Sequence, residues 1–298
     1  MKRKKLHVNG PELSAIIAGM WRMDEWNLSD CELTDWIKKS IDLGITTFDH
    51  ADIYGSHTIE EMFGRAINKS LRKKIEIITK CGVCLQFDNK PENRVKHYNS
   101  SAGYIRASVE QSLKNFRTDY IDLLLIHRPD PLMDAEETAG ALDKLVKEGK
   151  VKFIGVSNFS ISQIELLQSK LKSTLVTNQV ECSLLHTDPI FDDTLDHAQK
   201  NSYLPLIWSP LGGGELFSGN SDAVYRLQKT LHELSQKYDA AADQVALAWL
   251  IKHPSSPLPI TGTGRLDRLA GAAGATELEL DRQDWFKLLE AARGMEVL

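Results

Sequence analysis

Four cysteines in 298 residues are too few for a disulfide framework to hold this fold. That scarcity suits a reducing compartment, and the cytoplasm is the expected location. No apolar run approaches the eighteen or more residues that a membrane-crossing helix needs. Cationic excess is missing too. The 36 Lys and Arg against 41 Asp and Glu give a formal net charge of −5, which supplies no pull toward nucleic acid or lipid. The basic cluster Lys2-Arg3-Lys4-Lys5 has no apolar stretch after it, so it reads as a solvated N-terminal arm and not as a signal peptide. No Pro- or Ser-rich linker divides the chain. No Gly-x-Gly-x-x-Gly follows the first apolar run, as a doubly wound dinucleotide-binding sheet would want. A nucleophilic serine or cysteine elbow and a two-histidine metal pattern are also lacking, and no metal site is expected.

What the chain has is a regular alternation of short apolar runs and amphipathic segments. Buried strands are expected at 16–19, 46–49, 75–79, 121–126, 153–156, 175–178, 204–208 and 257–260. Ser29-Asp30-Cys31-Glu32 has the spacing of a helix capping box. Behind it Leu33, Trp36, Ile37, Ser40 and Ile41 share a helical face, with Gly44 as the stop. Thr58-Ile59-Glu60-Glu61 repeats the box for a helix ending near Ile67. Further helices are expected over 101–116, 135–148 (Gly149 as stop), 161–169, 192–200, 222–238, 243–252, 265–274 and 281–293. Asn9-Gly10, between two short extended pieces of 6–14, signals a tight hairpin. Eight βα units read as one domain over 1–298, a (β/α)8 TIM barrel with an N-terminal β-hairpin and extra helices.

Barrels of this kind place their chemistry where the strands end. Asp49 ends the second strand, Tyr54 follows in its loop, Lys80 ends the third and His127 the fourth. Ionisable groups at a core mouth are costly unless they have a partner or a task. A lysine beside a tyrosine stabilises phenolate and pulls the phenol pKa down from about 10. A carboxylate holds that lysine charged, and a histidine can donate to a polarised oxygen. The set suits protonation of a carbonyl oxygen as a nucleophile arrives; the residues alone name no reductant. Taken singly, Asp49 with Lys80 reads equally well as a buried ion pair bracing the barrel, and His127 as a satisfied core histidine. Their joint arrival at matching strand ends favours one shared site. Cys81-Gly82-Val83-Cys84 has zinc or redox spacing, but no second pair completes a site, so both cysteines read as structural. His50 and Asp52 receive no role.

Asp49-x-Ala51-x-x-Tyr54-Gly55, Lys80 after Ile-Ile-Thr, and His127 after Leu-Leu-Ile resemble the four-residue active site of the aldo-keto reductase superfamily. Ile154-Gly155-Val156-Ser157-Asn158-Phe159 is similar to that family's fifth-strand motif, and Asn178-Gln179-Val180-Glu181 to its sixth. His127-Arg128-Pro129-Asp130, Trp208-Ser209-Pro210-Leu211-Gly212-Gly213-Gly214 and Pro259-Ile260-Thr261-Gly262-Thr263-Gly264 resemble a bacterial branch of generic NADP-dependent oxidoreductases. The resemblance spans essentially the whole chain. It implies reduction of an aldehyde or ketone to an alcohol, with Tyr54 as general acid tuned by Lys80 and Asp49, and His127 orienting the carbonyl. It implies NADPH as reductant. Ser157, Asn158 and Gln179 would hold the carboxamide, Trp208 would stack on the nicotinamide, and Ser209 would be a further contact. Backbone around Leu211, Gly212 and Gly213 would meet the pyrophosphate, and Arg268 with Thr263 the 2′-phosphate.

The chain departs from the family pattern at Gly262, where a basic residue is common and Arg265 is the candidate replacement. It departs again at Gly271 and Ala272, where acidic and amide residues often grip adenine. The implied partner is a small-molecule carbonyl substrate, with no nucleic acid or membrane; the sequence leaves the oligomeric state open. An alternative from another class is a cofactor-binding regulatory protein with little turnover, like the potassium-channel beta subunits. Substrate walls are expected from the loop carrying Trp21, Arg22 and Trp26, from residues 81–100, and from the C-terminal segment.

Overall fold

Parallel strands need long crossovers, and a helix is the usual one because it satisfies its own backbone while covering the sheet face. The computed structural model of this chain, which describes residues 1–297, follows that rule around a full circle. Residue 298, the last of the expected domain, lies outside the described residues. An antiparallel hairpin of β1 (Arg3–Lys5) and β2 (Glu12–Ser14) comes first. Then follow β3 (Ile17–Gly19), β4 (Thr47–Asp49) and β5 (Glu76–Cys81) of the barrel. A second small hairpin, β6 (Val83–Cys84) with β7 (His97–Tyr98), rises from the end of β5. The barrel continues through β8 (Ile121–Ile126), β9 (Val151–Ser157), β10 (Leu175–Glu181), β11 (Leu206–Trp208) and β12 (Leu258–Thr261). Each barrel strand pairs in parallel with the next, and β12 closes on β3.

The crossovers are α1 (Asp30–Asp42), α2 (Ile59–Ala66) with the single turn α3 (Lys69–Arg72), α4 (Ala102–Phe116), α5 (Ala135–Lys147), α6 (Ile161–Gln168) and α7 (Thr194–Lys200). After β11 come the short α8 (Glu215–Ser218), then α9 (Asp222–Tyr238) and α10 (Ala242–Ile251). The chain ends with α11 (Leu266–Gly274) and α12 (Arg282–Arg293). No helix among the described residues is long and apolar enough to cross a membrane.

Sequence signals explain the helix ends. The Ser29 hydroxyl accepts from the Glu32 amide while the Glu32 carboxylate accepts from the Ser29 amide, so the box expected there is formed. Gly44 and Gly149 follow their helices at φ of 83° and 73°, where only glycine avoids a Cβ penalty. The second expected box is not made. Thr58 already stands in helical backbone after a tight turn over Tyr54–His57, and its hydroxyl donates back to Gly55 O at 2.6 Å.

Leu6 and Leu13 of the first hairpin pack with Ile17, Ile78, Leu123, Leu125, Val176, Leu206 and Leu258 inside the barrel. The hairpin thus plugs the end where the strands begin. It is no two-residue turn: six residues separate Lys5 from its partner Glu12, and Asn9-Gly10 lies in a local turn closed by Gly10 N to His7 O. The basic cluster is correspondingly more than a solvated arm. Arg3 donates to Glu76 at 2.7 Å and Thr46 at 2.6 Å, tying the hairpin to the starts of the second and third barrel strands. Among the described residues, the expected contribution of the C-terminal segment to the substrate wall is not found, since nothing after Ala272 lines it. Helix α12 packs along α9, and Trp285 stacks on Trp249 with ring centroids 5.2 Å apart on the barrel's outside.

Candidate active site

At the opposite end the strands stop and a cleft of about 1210 Å³ opens. Strand β4 delivers Asp49, β5 delivers Lys80 and β8 leads directly into His127. Backbone bonds extend this order past the strands: Asp52 N donates to Lys80 O at 3.0 Å and His127 N to Cys81 O at 2.8 Å. Tyr54 is brought back over the mouth by the tight turn after β4, in which Gly55 sits at φ 55°.

Lys80 is the hub. Its buried ammonium donates to Asp49 Oδ2 at 2.6 Å, His50 O at 2.8 Å and Tyr54 Oη at 3.0 Å, which uses all three of its protons. Burial alone would lower the lysine pKa, but the Asp49 carboxylate and Tyr54 hold it above its ordinary value. Asp49 is fixed from its other oxygen by Gln179 Nε2 at 2.9 Å. The His127 ring stands edge-on to Tyr54 with centroids 6.0 Å apart, and burial with the nearby Lys80 charge keeps it neutral, well below the usual histidine range. Its Nδ1 is buried without a partner among the described residues.

One electrostatic expectation is corrected. Lys80 does act to lower the Tyr54 pKa, but burial outweighs it, and the phenol is pushed above 10. Tyr54 therefore keeps its proton at neutral pH.

The cleft wall continues through Ser157, Asn158, Gln179, Trp208, Ser209, Leu211, Gly213, Thr263 and Arg268. Trp208 Nε1 donates to Asn158 Oδ1 at 3.0 Å, and Asn158 Nδ2 donates to Ser157 Oγ at 2.7 Å. This chain of bonds holds Asn158 at a φ of 58°, costly for a non-glycine residue. Gly212 and Arg265 do not line the cleft. Gly212 packs on Leu185, and Arg265 is drawn away by Asp267, with Nη2 to Oδ2 at 2.5 Å. Trp26 also turns away, its ring 4.9 Å from that of Trp36, whereas Trp21 and Arg22 stay on the wall.

The expected 81–100 segment reaches the wall through Val83, Leu85, Lys96 and Tyr98, while Phe217 and Ser218 carried no sequence signal of their own. Lys96 and Tyr98 come with the β6–β7 hairpin, and Phe217 and Ser218 with α8. A short exposed turn ending in an aromatic, as in Glu215-Leu216-Phe217, was the available hint. Glu60 was equally hidden. It lies buried between β5 and α4 and accepts from Thr79 at 2.6 Å, Ser112 at 2.9 Å and Asn115 at 3.1 Å. Burial pushes its pKa up. Cys81 and Cys84 are buried with their thiols pushed up, which makes both poor nucleophiles.

The cleft suits a dinucleotide. Gly213 and Gly214 stand on its wall at φ of 65° and 104°, with nothing within 4 Å of where a Cβ would point. Backbone of this kind can approach a phosphate closely. Arg268, in the first turn of α11, faces the same space, and a helix start with a guanidinium favours an anion.

Residues 15–293 match the model of the Aldo/keto reductase family. The chain is 47% identical over 289 residues to an uncharacterized oxidoreductase of Bacillus subtilis, covering 96% of each. It is also 47% identical over 289 residues, again 96% of each, to a 6-dehydroglucose reductase of Agrobacterium fabrum. A thermostable aldo-keto reductase solved with the inhibitor epalrestat superposes with a TM-score of 0.82 at 30% identity, over 98% of this chain and 100% of that one.

Proposed function

The chain belongs to the aldo/keto reductase family and is a carbonyl oxidoreductase, and on that premise we propose that it reduces an aldehyde or ketone to an alcohol with NADPH. The observation that carries this reading is the 3.0 Å bond from the Lys80 ammonium to a protonated Tyr54 phenol at the cleft mouth. The hydride that the carbonyl carbon receives comes from the nicotinamide cofactor. Tyr54 gives its proton to the carbonyl oxygen. The phenolate left behind is stabilised by Lys80, whose charge is held by Asp49, itself fixed by Gln179. Neutral His127 donates a ring N–H to the same carbonyl oxygen and so orients it. Ser157, Asn158 and Gln179 would hold the cofactor's carboxamide, Trp208 would pack against its ring, and Ser209 with the backbone of Leu211 and Gly213 would hold the pyrophosphate.

The preference for NADPH over NADH rests on Arg268, with Thr263 beside it; Arg265, committed to Asp267, contributes little. The 6-dehydroglucose reductase of Agrobacterium makes a sugar aldehyde a natural member of the substrate panel.

The test is Tyr54→Phe, assayed by NADPH and NADH oxidation side by side against aldehydes and ketones. Turnover of the best substrate falls about 10²–10⁴-fold, the usual worth of general acid catalysis, while cofactor affinity holds. Turnover near the wild-type rate would refute the mechanism.

A further inference from the structure

Besides Arg268, three cations stand on the cleft wall with no ion-pair partner among the described residues. Arg22 follows β3, Lys96 leads into β7, and Arg128 follows β8 beside His127. None of the three side chains enters an ion pair or a hydrogen bond among the described residues. Arg22 lies over the Trp21 ring at 5.0 Å and Arg128 over the Trp208 ring at 5.5 Å. The acids on the same wall are spent or remote. Asp49 is taken by Lys80 and Gln179, and Asp243 sits beside Gly271, on the α11 side with Arg268. The end of the cleft around Tyr54 and His127 is therefore cationic and uncompensated.

Arg128 matters most, because it is half-buried. A guanidinium withdrawn from water without a partner is costly. Its planar fork matches a carboxylate through two parallel charge-assisted hydrogen bonds. It also lies close enough to act on the titration of both Tyr54 and His127. The more exposed Arg22 and Lys96 are placed to raise the local concentration of an anion before it docks. Building on the carbonyl-reductase reading, the geometry points to a substrate that carries a carboxylate besides its reacting carbonyl, seated on Arg128 and drawn in by Arg22 and Lys96.

The probes are two isosteric pairs: succinic semialdehyde against its amide, and 4-carboxybenzaldehyde against 4-formylbenzamide. In the wild type, kcat/KM favours at least one acid over its amide by about 10–100-fold, the worth of a charge-assisted hydrogen bond. The preference lies mainly in KM and shrinks as salt is raised. Arg128→Gln removes most of the acid-to-amide ratio, Arg128→Lys retains part of it, and Arg22→Gln with Lys96→Gln erodes its salt-sensitive share. Should Arg128→Gln fold poorly, the salt dependence of the wild-type ratio and the Arg22 and Lys96 variants decide the matter. Acids and amides reduced alike overturn the inference and leave the reductase reading standing. So does a ratio that survives Arg128→Gln, or a loss of NADPH affinity in that variant, which would make Arg128 a cofactor contact. Reduction of none of the four aldehydes, nor of any other carbonyl, removes the reductase reading and this inference with it.

Discussion

Asp52, two residues before Tyr54, is buried, with Oδ2 accepting from Ser108 at 2.7 Å and Oδ1 without a partner among the described residues. Burial pushes its pKa up to about 8, Ser108 holding it lower and Glu60 pushing it higher. The unfolded chain releases this proton near pH 4, whereas the folded chain keeps it to about pH 8. Between those values the folded state binds the extra proton, so stability declines as pH rises and the loss is complete above pH 8. Asp52→Asn, which stays neutral, should gain on the wild type across that window. Melting curves at pH 5, 7 and 9 should show the variant's relative Tm climbing steadily, and a pH-independent gap would rule the account out. Asp49, Lys80 and His127 were legible in sequence because each ends an apolar run, where an ionisable residue is conspicuous. The chemistry of Asp52 and Glu60 was not. Their partners Ser108, Ser112 and Asn115 lie some fifty residues away on α4, and only folding joins them.

Helix α2 stands behind the loop carrying Tyr54 and meets the end of α4 at Gly64. A Cβ there would fall 2.0 Å from Asn115 O and 2.8 Å from the Phe116 Cα, both backbone. Helix propensity favours alanine over glycine by about 1 kcal/mol, but main chain cannot rotate aside, and forced displacement typically costs about 1–3 kcal/mol. Gly64→Ala should therefore be net destabilising and lower Tm by several degrees, at roughly 2–4 °C per kcal/mol for a chain this large. An unchanged melting curve would mean that the two helices slide apart freely. Periodicity revealed these helices, and caps such as Ser29 fixed their starts. It misplaced the Thr58 box because three successive positive-φ residues, Gly55, Ser56 and His57, re-aim the chain just upstream. It also passed over β6 and β7, whose two residues each are too few to show alternation.

In the whole molecule, stabilising and reactive parts lie apart. Trp249 and Trp285 exchange hydrogen bonds, each indole N–H donating to the other's carbonyl at 3.0 and 2.9 Å, on a face remote from the cleft. Trp285→Ala should cost toward the lower end of the roughly 3–5 kcal/mol typical of large aromatics, since this ring is only partly covered. Its kcat/KM measured well below the melting transition should stay near that of the wild type. A large loss of activity at full folding would show that α12 does shape the pocket. The barrel was legible because eight apolar runs recur at crossover spacing. The placing of α12 was not, because a terminal amphipathic helix fits the outer wall or the mouth equally well by pattern. The plugged end has a practical consequence. Met1 packs against Gly44 beneath the barrel, and Leu6 and Leu13 seal that end. The chain thus behaves as a cup with its handle under the base. Molecules tethered to a bead or electrode through residue 1 would all stand with the rim facing the liquid.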